Sequence, residues 1–274
     1  MVGIRAVPAP TVIAISNQKG GEGKTTTAVN LAASIAAAEH RVLLIDMDPQ
    51  GNASSSVGYP KGVAEQGTYD LLMGLAGPAE VVQSTELPML DVVPSSMDLV
   101  GAEVELVEVE QRESVLRRAM EGVLAHREYE YVLLDCPPSL GLLTINALVA
   151  ATSVLIPMQA KYFSLEGLGA LNSTIAAVRE AFNPGLSVEG IVFCMFDNRT
   201  NLARQVVDEV GEHFDGLVYE TRIPVNIRLS ESPSHGKPAL LYDIESKGAQ
   251  AYLALAREVL ARREAEAKTG AAAR

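Results

Sequence analysis

Residues 11–38 read TVIAISNQKGGEGKTTTAVNLAASIAAA, and three textures follow one another within them. Residues 11–16 form an apolar, β-branched run. Residues 17–24 are rich in glycine and lysine, and 25–38 form an alanine-rich, proline-free stretch that favours helix. A strand, a glycine-rich turn and a helix in that order are the setting in which a phosphate-binding loop works. Glycines let the backbone curl so that successive N–H groups face an anion, and the helix start adds partial positive charge. The usual pattern asks for glycine, four residues, then Gly-Lys-Ser/Thr. Here Gly23-Lys24-Thr25 completes it, but Gln18 stands where the first glycine belongs. Gly20 and Gly21 lie inside the loop, Lys19 supplies a second lysine ahead of them, and the acid Glu22 sits between the two lysines. Lys24 is expected to reach terminal phosphates and Thr25 to offer its hydroxyl to Mg²⁺.

Working outward, further apolar runs recur at RVLLID (41–46), EYVLLD (130–135), SVLIPM (153–158) and VEGIVFCMF (188–196). Near-continuous runs of this length suit strands covered on both faces. Between the last two, Leu165, Leu168, Leu171, Ile175 and Val178 keep the three- and four-residue spacing of one apolar helix face. The alternation predicts an α/β fold, with a mostly parallel central sheet and helices on both faces. With no internal repeat and no long linker, residues 1–274 read as one domain, with a short lead at 1–10 and a flexible tail at 264–274. The acidic stretch GAEVELVEVEQRE (101–113) has mixed periodicity and fits either a solvated helix face or a partner-docking surface.

Composition narrows the function. A net charge of −12 argues against a generally basic nucleic-acid coat, so any DNA contact must come from a local patch. No apolar run approaches the ~20 residues of a membrane-spanning helix, and MVGIRAVPAPT lacks the regions of a secretory signal. Cys136 and Cys194 stand without metal or disulfide spacing and read as small buried hydrophobes. A cytoplasmic location is expected.

Three acids end apolar runs: Asp46 and Asp48 in LLIDMDPQGN and Asp135 in VLLDCPPS. Ligands of open parallel sheets collect at the carboxyl ends of strands, so these carboxylates are expected to converge on the loop. Mg²⁺ keeps several waters, which allows carboxylates to act on it through water.

Taken together, NQKGGEGKTTTAVNLAA, LLIDMDPQGN, VLLDCPPS and RLSESPSHGKP resemble the ParA/Soj branch of the deviant Walker A P-loop ATPases, over about residues 11–262. The resemblance implies an ATP hydrolase, slow and partner-stimulated, using ATP and Mg²⁺. Its nucleotide-binding stretch would be Lys19, Gly20, Gly21, Glu22, Gly23, Lys24, Thr25 and Thr26, with Pro224 and Asn226 bordering the adenine. Lys19 would reach across a homodimer to the partner's phosphates while Lys24 serves its own. Asp48 would position the hydrolytic water, Thr25 would ligate Mg²⁺, and Asp46 and Asp135 would support it through water. Arg199 and Arg228 match the arginines that bind nonspecific double-stranded DNA in the ATP state, and a ParB/Spo0J-like protein would stimulate hydrolysis in a nucleoid-associated dimer. Without the resemblance, residues 197–237 would not read as a DNA site. They hold five Arg/Lys against seven Asp/Glu, and the arginines would read as ordinary surface ion pairs.

Where relatives most often carry valine, this chain has Glu22. A carboxylate ~6 Å from polyphosphate costs on the order of 3 kcal/mol at an effective dielectric of ~20, relieved by solvent or a neighbouring cation. Weaker nucleotide affinity or altered turnover is therefore expected. With ten residues before the first strand, operator binding is not expected. A membrane-positioning ATPase of the MinD kind is the alternative, but AYLALAREVLARREAEAK (251–268) mixes Arg257, Arg262 and Arg263 with Glu258, Glu264 and Glu266 and reads as a core-packing helix. A positioning ATPase with another cargo stays open. The two isolated cysteines cannot ligate an iron–sulfur cluster. His235 reads as a structural hydrogen-bonding group.

Overall fold

The structure, a computed structural model, describes residues 9–272, with 266, 267 and 269–272 described by backbone alone. The strands are β1 (Thr11–Ile15), β2 (Val42–Asp46), β3 (Gln83–Ser84), β4 (Leu90–Val93), β5 (Tyr131–Asp135), β6 (Ser153–Gln159), β7 (Ser187–Phe196) and β8 (Val218–Pro224). The helices are α1 (Lys24–Ala37), α2 (Asn52–Ser55), α3 (Thr68–Met73), α4 (Pro78–Val81), α5 (Leu99–Glu105) and α6 (Val115–His126). They continue with α7 (Leu142–Ala150), α8 (Tyr162–Ala181), α9 (Asn201–His213), α10 (Ile227–Glu231), α11 (Ala239–Tyr242) and α12 (Lys247–Ala272). One sheet runs β3-β4-β2-β5-β1-β6-β7-β8 among the described residues. Every pairing is parallel except the short β3–β4 contact at the edge.

The apolar runs are continuous because both faces of each central strand are covered. Val12 and Ala14 of β1, Leu43 and Ile45 of β2, and Val132 and Leu134 of β5 share one core with residues of α6 to α9. Their neighbours Ile13, Ile15, Val42, Leu44 and Leu133 turn to a second core with α1 and α12. Alternate side chains of a strand point to opposite faces, so each run feeds both cores. On α8, Leu168, Leu171, Ile175 and Val178 are buried as their spacing predicts, each contributing roughly 1.5–3 kcal/mol relative to exposure.

The strand order creates the site. β1 is central, with β5 on one side and β6 on the other, so the chain switches direction across its carboxyl end. Asp135 pairs in register with Asp46 on β2 and with Ile15 on β1, which sets both acids level with the start of the glycine-rich loop.

α12 is fastened to the sheet beneath this end. The β6–β7 register slips after Val154, leaving Glu189 as an extra residue before Gly190, a β-bulge. Gly190 has φ 157, and a Cβ there would lie 2.5 Å from the Tyr219 ring. Glu189 accepts a hydrogen bond from Ser153 Oγ at 2.5 Å and pairs with Arg263 of α12. The helix runs on through 264–272, within the stretch read as a flexible tail, where Ala, Glu and Lys are good helix formers. Residues 273–274, and 1–8 of the expected lead, lie outside the described residues.

The acidic 101–113 stretch changes period as it runs: α5, a 3₁₀ turn at Leu106–Glu108, a left-handed Gln111 at φ 54, then a second 3₁₀ turn. Ala102 and Leu106 point inward while Val104 and Val107 stand exposed. No helix among the described residues is long and apolar enough to cross a membrane.

Candidate functional site

The loop between β1 and α1 is held from beneath by Asn17. Its buried amide donates to the Pro157 carbonyl at 2.8 Å, and its Oδ1 accepts from the Lys19 N–H at 3.1 Å. Gly21 and Gly23 adopt φ 76 and 91, the left-handed region that glycine enters at no steric cost. At Gly23 a Cβ would also come within 3.2 Å of Cys194 Cβ. No side chain among the described residues caps α1, so the N–H groups of its first turn are left for an anion. Lys24 is buried, and its Nζ donates to the Lys19 carbonyl at 2.9 Å. Burial lowers its pKa, with the nearby Asp135 opposing that shift.

Asp46 and Asp135 are fully buried. The two oxygens of Asp46 are occupied: Oδ2 accepts from Ser54 N–H (2.8 Å) and Ser54 Oγ (2.6 Å), and Oδ1 accepts from Asp48 N–H (3.1 Å). Burial, outweighing these bonds, pushes its pKa up to about 6. Asp135 differs: neither carboxylate oxygen has a hydrogen-bond partner among the described residues. Thr25 and Lys24 lie near enough to favour its ionised form, yet burial first and Asp46 second hold its pKa well above the usual carboxylate range. A buried carboxylate in this condition takes up either a proton or a cation. Asp48, half-buried, accepts from Gln50 N–H at 2.9 Å and leaves its other oxygen uncommitted to Gln50. Among the described residues no three His, Cys, Asp or Glu side chains form a metal cage. Any cation here would rest on few protein oxygens, as Mg²⁺ does.

Two clefts open beside the loop. One of about 430 Å³ is lined by Thr25, Thr26, Asn30, Asn52 and Lys237. The other, about 540 Å³ and more apolar, lies among Gly23, Met195, Pro224, Val225, Asn226 and Tyr252. Thr26 and Pro233 border both, so they meet at the loop. Of the two residues expected beside adenine, Pro224 lines the apolar cleft through the end of β8, and Asn226 caps α10 by accepting from Arg228 N–H at 3.0 Å.

Glu22 is 1% exposed. Its Oε2 accepts from Gln159 N–H at 2.5 Å, its Oε1 accepts from Ser164 Oγ at 2.9 Å, and Lys19 Nζ stands 3.8 Å from Oε1. Relief of its charge therefore comes from two donors and a cation, not from solvent.

Arg199 and Arg228 follow β7 and β8, adjacent parallel strands, so both lie beyond the same carboxyl edge. Each meets acids of its own chain. Arg199 pairs with Asp197 at 2.6 Å, and Arg228 pairs with Glu231 at 2.8 Å and Asp243 at 3.1 Å. His235 stacks on Tyr242 at a centroid distance of 4.8 Å.

A family model described as an AAA domain matches residues 10–188. The chain is 55% identical over 251 residues to the chromosome partitioning protein ParA of Myxococcus xanthus, covering 92% of this chain and 88% of that protein. It is 52% identical over 250 residues to the sporulation initiation inhibitor protein Soj of Bacillus subtilis, covering 91% and 98%. The chain belongs to the ParA/Soj family. Among solved structures, cobyrinic acid a,c-diamide synthase from Mycobacterium smegmatis with bound ADP and magnesium superposes at a TM-score of 0.80. It is 32% identical, with 93% and 96% of the two chains covered.

In this ParA/Soj chain, motif reading found the residues that sit at strand ends or within the glycine loop. It missed those that arrive from afar. Met195, Val225 and Tyr252 wall the apolar cleft from β7, the β8–α10 link and α12. Ser54, which occupies Asp46, carries no motif; its one signal was eight-residue proximity in a serine-rich stretch.

Proposed function

We propose that this chain is a single-domain, ATP-dependent switch ATPase that moves chromosome or plasmid DNA. ATP with Mg²⁺ drives pairing into a homodimer, the dimer binds nonspecific double-stranded DNA, and a ParB-like partner stimulates slow hydrolysis and release. It would work in the cytoplasm on the nucleoid. The observation that carries this reading is Asp135, a buried carboxylate whose oxygens have no hydrogen-bond partner among the described residues, in register with Asp46 and beside Lys24 and Thr25. That donor set fits a hard divalent cation held by the Thr25 hydroxyl, with the two carboxylates acting through water. When bound, Mg²⁺ neutralises charge developing on the phosphates.

The protein's own groups do the rest. The N–H groups from Gly20 to Thr26 receive phosphate oxygens, and Lys24 neutralises charge on its own nucleotide. Asp48 orients the attacking water, and Lys19 of the second protomer completes the pocket, so hydrolysis waits on assembly. The apolar cleft bordered by Pro224 and Asn226 suits a purine base. The exposed Val104 and Val107 on the acidic α5 segment suit the partner's contact.

For DNA, Arg199 and Arg228 must exchange Asp197, Glu231 and Asp243 for phosphates. Such binding should be strongly salt-dependent. DNA binding measured with ATP, ADP or no nucleotide is expected only with ATP. Arg228→Ala should weaken it for all sequences alike, and losing one contact per protomer should reduce the slope of log K against log salt by about 2. Binding that ignores the nucleotide, or that goes to anionic vesicles instead of DNA, would overturn this reading.

A further inference from the structure

The loop's acid does more than tolerate its position. Glu22 ties three elements together: the glycine loop that carries it, the end of β6 through the Gln159 N–H, and the first turn of α8 through Ser164 Oγ. The return bond from Gln159 Nε2 to the Gly21 carbonyl, at 2.9 Å, closes the same corner. Into it points the ammonium of Lys19, 3.8 Å from Glu22 Oε1 and 5.8 Å from the centroid of the Phe163 ring. Lys19 is thus held by a carboxylate and an aromatic face of its own chain, while its side chain keeps 43% of its surface open. We infer that Glu22 is a positioning residue that parks Lys19 on its own protomer, so that a partner's nucleotide must draw the lysine off Glu22 before the dimer closes.

This rests on the proposed ATP-driven pairing and deepens it by adding a threshold. A lysine that neutralises a buried carboxylate at home costs something to redeploy. The cost falls twice per dimer, since each protomer releases one lysine. A half-exposed pair of this kind corresponds to about threefold in an equilibrium constant per latch, hence about tenfold for the two-latch dimer.

Glutamine at position 22 separates charge from hydrogen bonding. Its Oε1 still accepts from Gln159 N–H, and its Nε2 donates to Ser164 Oγ, so the corner stays tied while the hold on Lys19 is lost. The test compares full-length parent, Glu22→Gln, Glu22→Val and Ser164→Ala for dimerisation with magnesium and a non-hydrolysable ATP analogue. Each is measured by analytical ultracentrifugation at low and high salt. Glu22→Gln is expected to dimerise about tenfold more tightly than the parent at low salt, with the gap narrowing in part at high salt, because Lys19 is half exposed while Glu22 is buried. Glu22→Val should also dimerise more tightly than the parent. Ser164→Ala, which keeps the charge, should stay near the parent. If the parent dimerises and Glu22→Gln matches it or pairs more weakly, or if the gap is indifferent to salt, the parking role is wrong. If the parent stays monomeric with the analogue, the pairing mechanism itself falls and the latch with it.

Discussion

Asp135→Asn is expected to leave the nucleotide-free protein more heat-stable at neutral pH while removing magnesium-dependent hydrolysis. Both effects come from one carboxylate that is fully buried with neither oxygen hydrogen-bonded among the described residues. Its folded pKa lies well above 3.8, first through burial and then through Asp46. For a carboxylate raised in this way the folded state binds the extra proton. The destabilising contribution is therefore absent below the unfolded pKa, grows as pH climbs, and is complete above the folded pKa. The parent should lose melting temperature over that window, and Asp135→Asn should lose less, so the gap widens with pH. Relief of about 1 kcal/mol would raise the midpoint by roughly 2–4 °C in a chain of this size. Asp46 titrates in the same direction around its value of about 6, but its bonds to Ser54 and Asp48 make it the less sensitive partner. Differential scanning fluorimetry across pH, with and without Mg²⁺ and nucleotide, reads both halves. A variant that melts below the parent throughout, or still hydrolyses ATP with magnesium at the parent's rate, would contradict this account of the acid pair.

The second large effect is expected at Lys24→Ala. Among the described residues the buried ammonium has one tether, the Lys19 carbonyl, and must otherwise be balanced by Asp135 and its neighbours. A group so placed is cheap to redirect onto phosphate and hard to replace. Loss of a preorganised charge at a transferring phosphoryl group costs on the order of 10²–10³ in rate. Steady-state ATPase assays with saturating partner and DNA should show a fall in kcat of at least that size. The fold should survive, because α1 is held by Ile35, Leu31 and Val29 in the core and not by its first residue. An activity loss of only a few-fold would remove Lys24 from its assigned role.

Much of this site was legible in the residue order because parallel strands announce themselves. Continuous runs such as VLLID and YVLLD need two covered faces, and the acids that end them then share a sheet edge with the loop. The helix carrying Leu165 to Val178 was equally plain, since five apolar positions keep one face, four of them buried and Leu165 partly so. The acidic segment at 101–113 was not, because the end of helix α5, two 3₁₀ turns and a left-handed Gln111 each impose a different period. Nor could the environment of Glu22 be read. Its partners lie 137 and 142 residues away on β6 and α8, and only tertiary contact turns an apparent electrostatic liability into a fastening point. The arginines illustrate the reverse. Their residue context suggested ion pairs, and Arg199 and Arg228 do sit in such pairs here, leaving DNA to compete for them.

Sedimentation velocity of the parent and of Lys19→Ala, each with magnesium and a non-hydrolysable ATP analogue, tests the central claim most directly. The account predicts a dimer for the parent and a nucleotide-bound monomer for Lys19→Ala. A parent that stays monomeric with the analogue bound, or a Lys19→Ala protein that pairs as tightly as the parent, would contradict it.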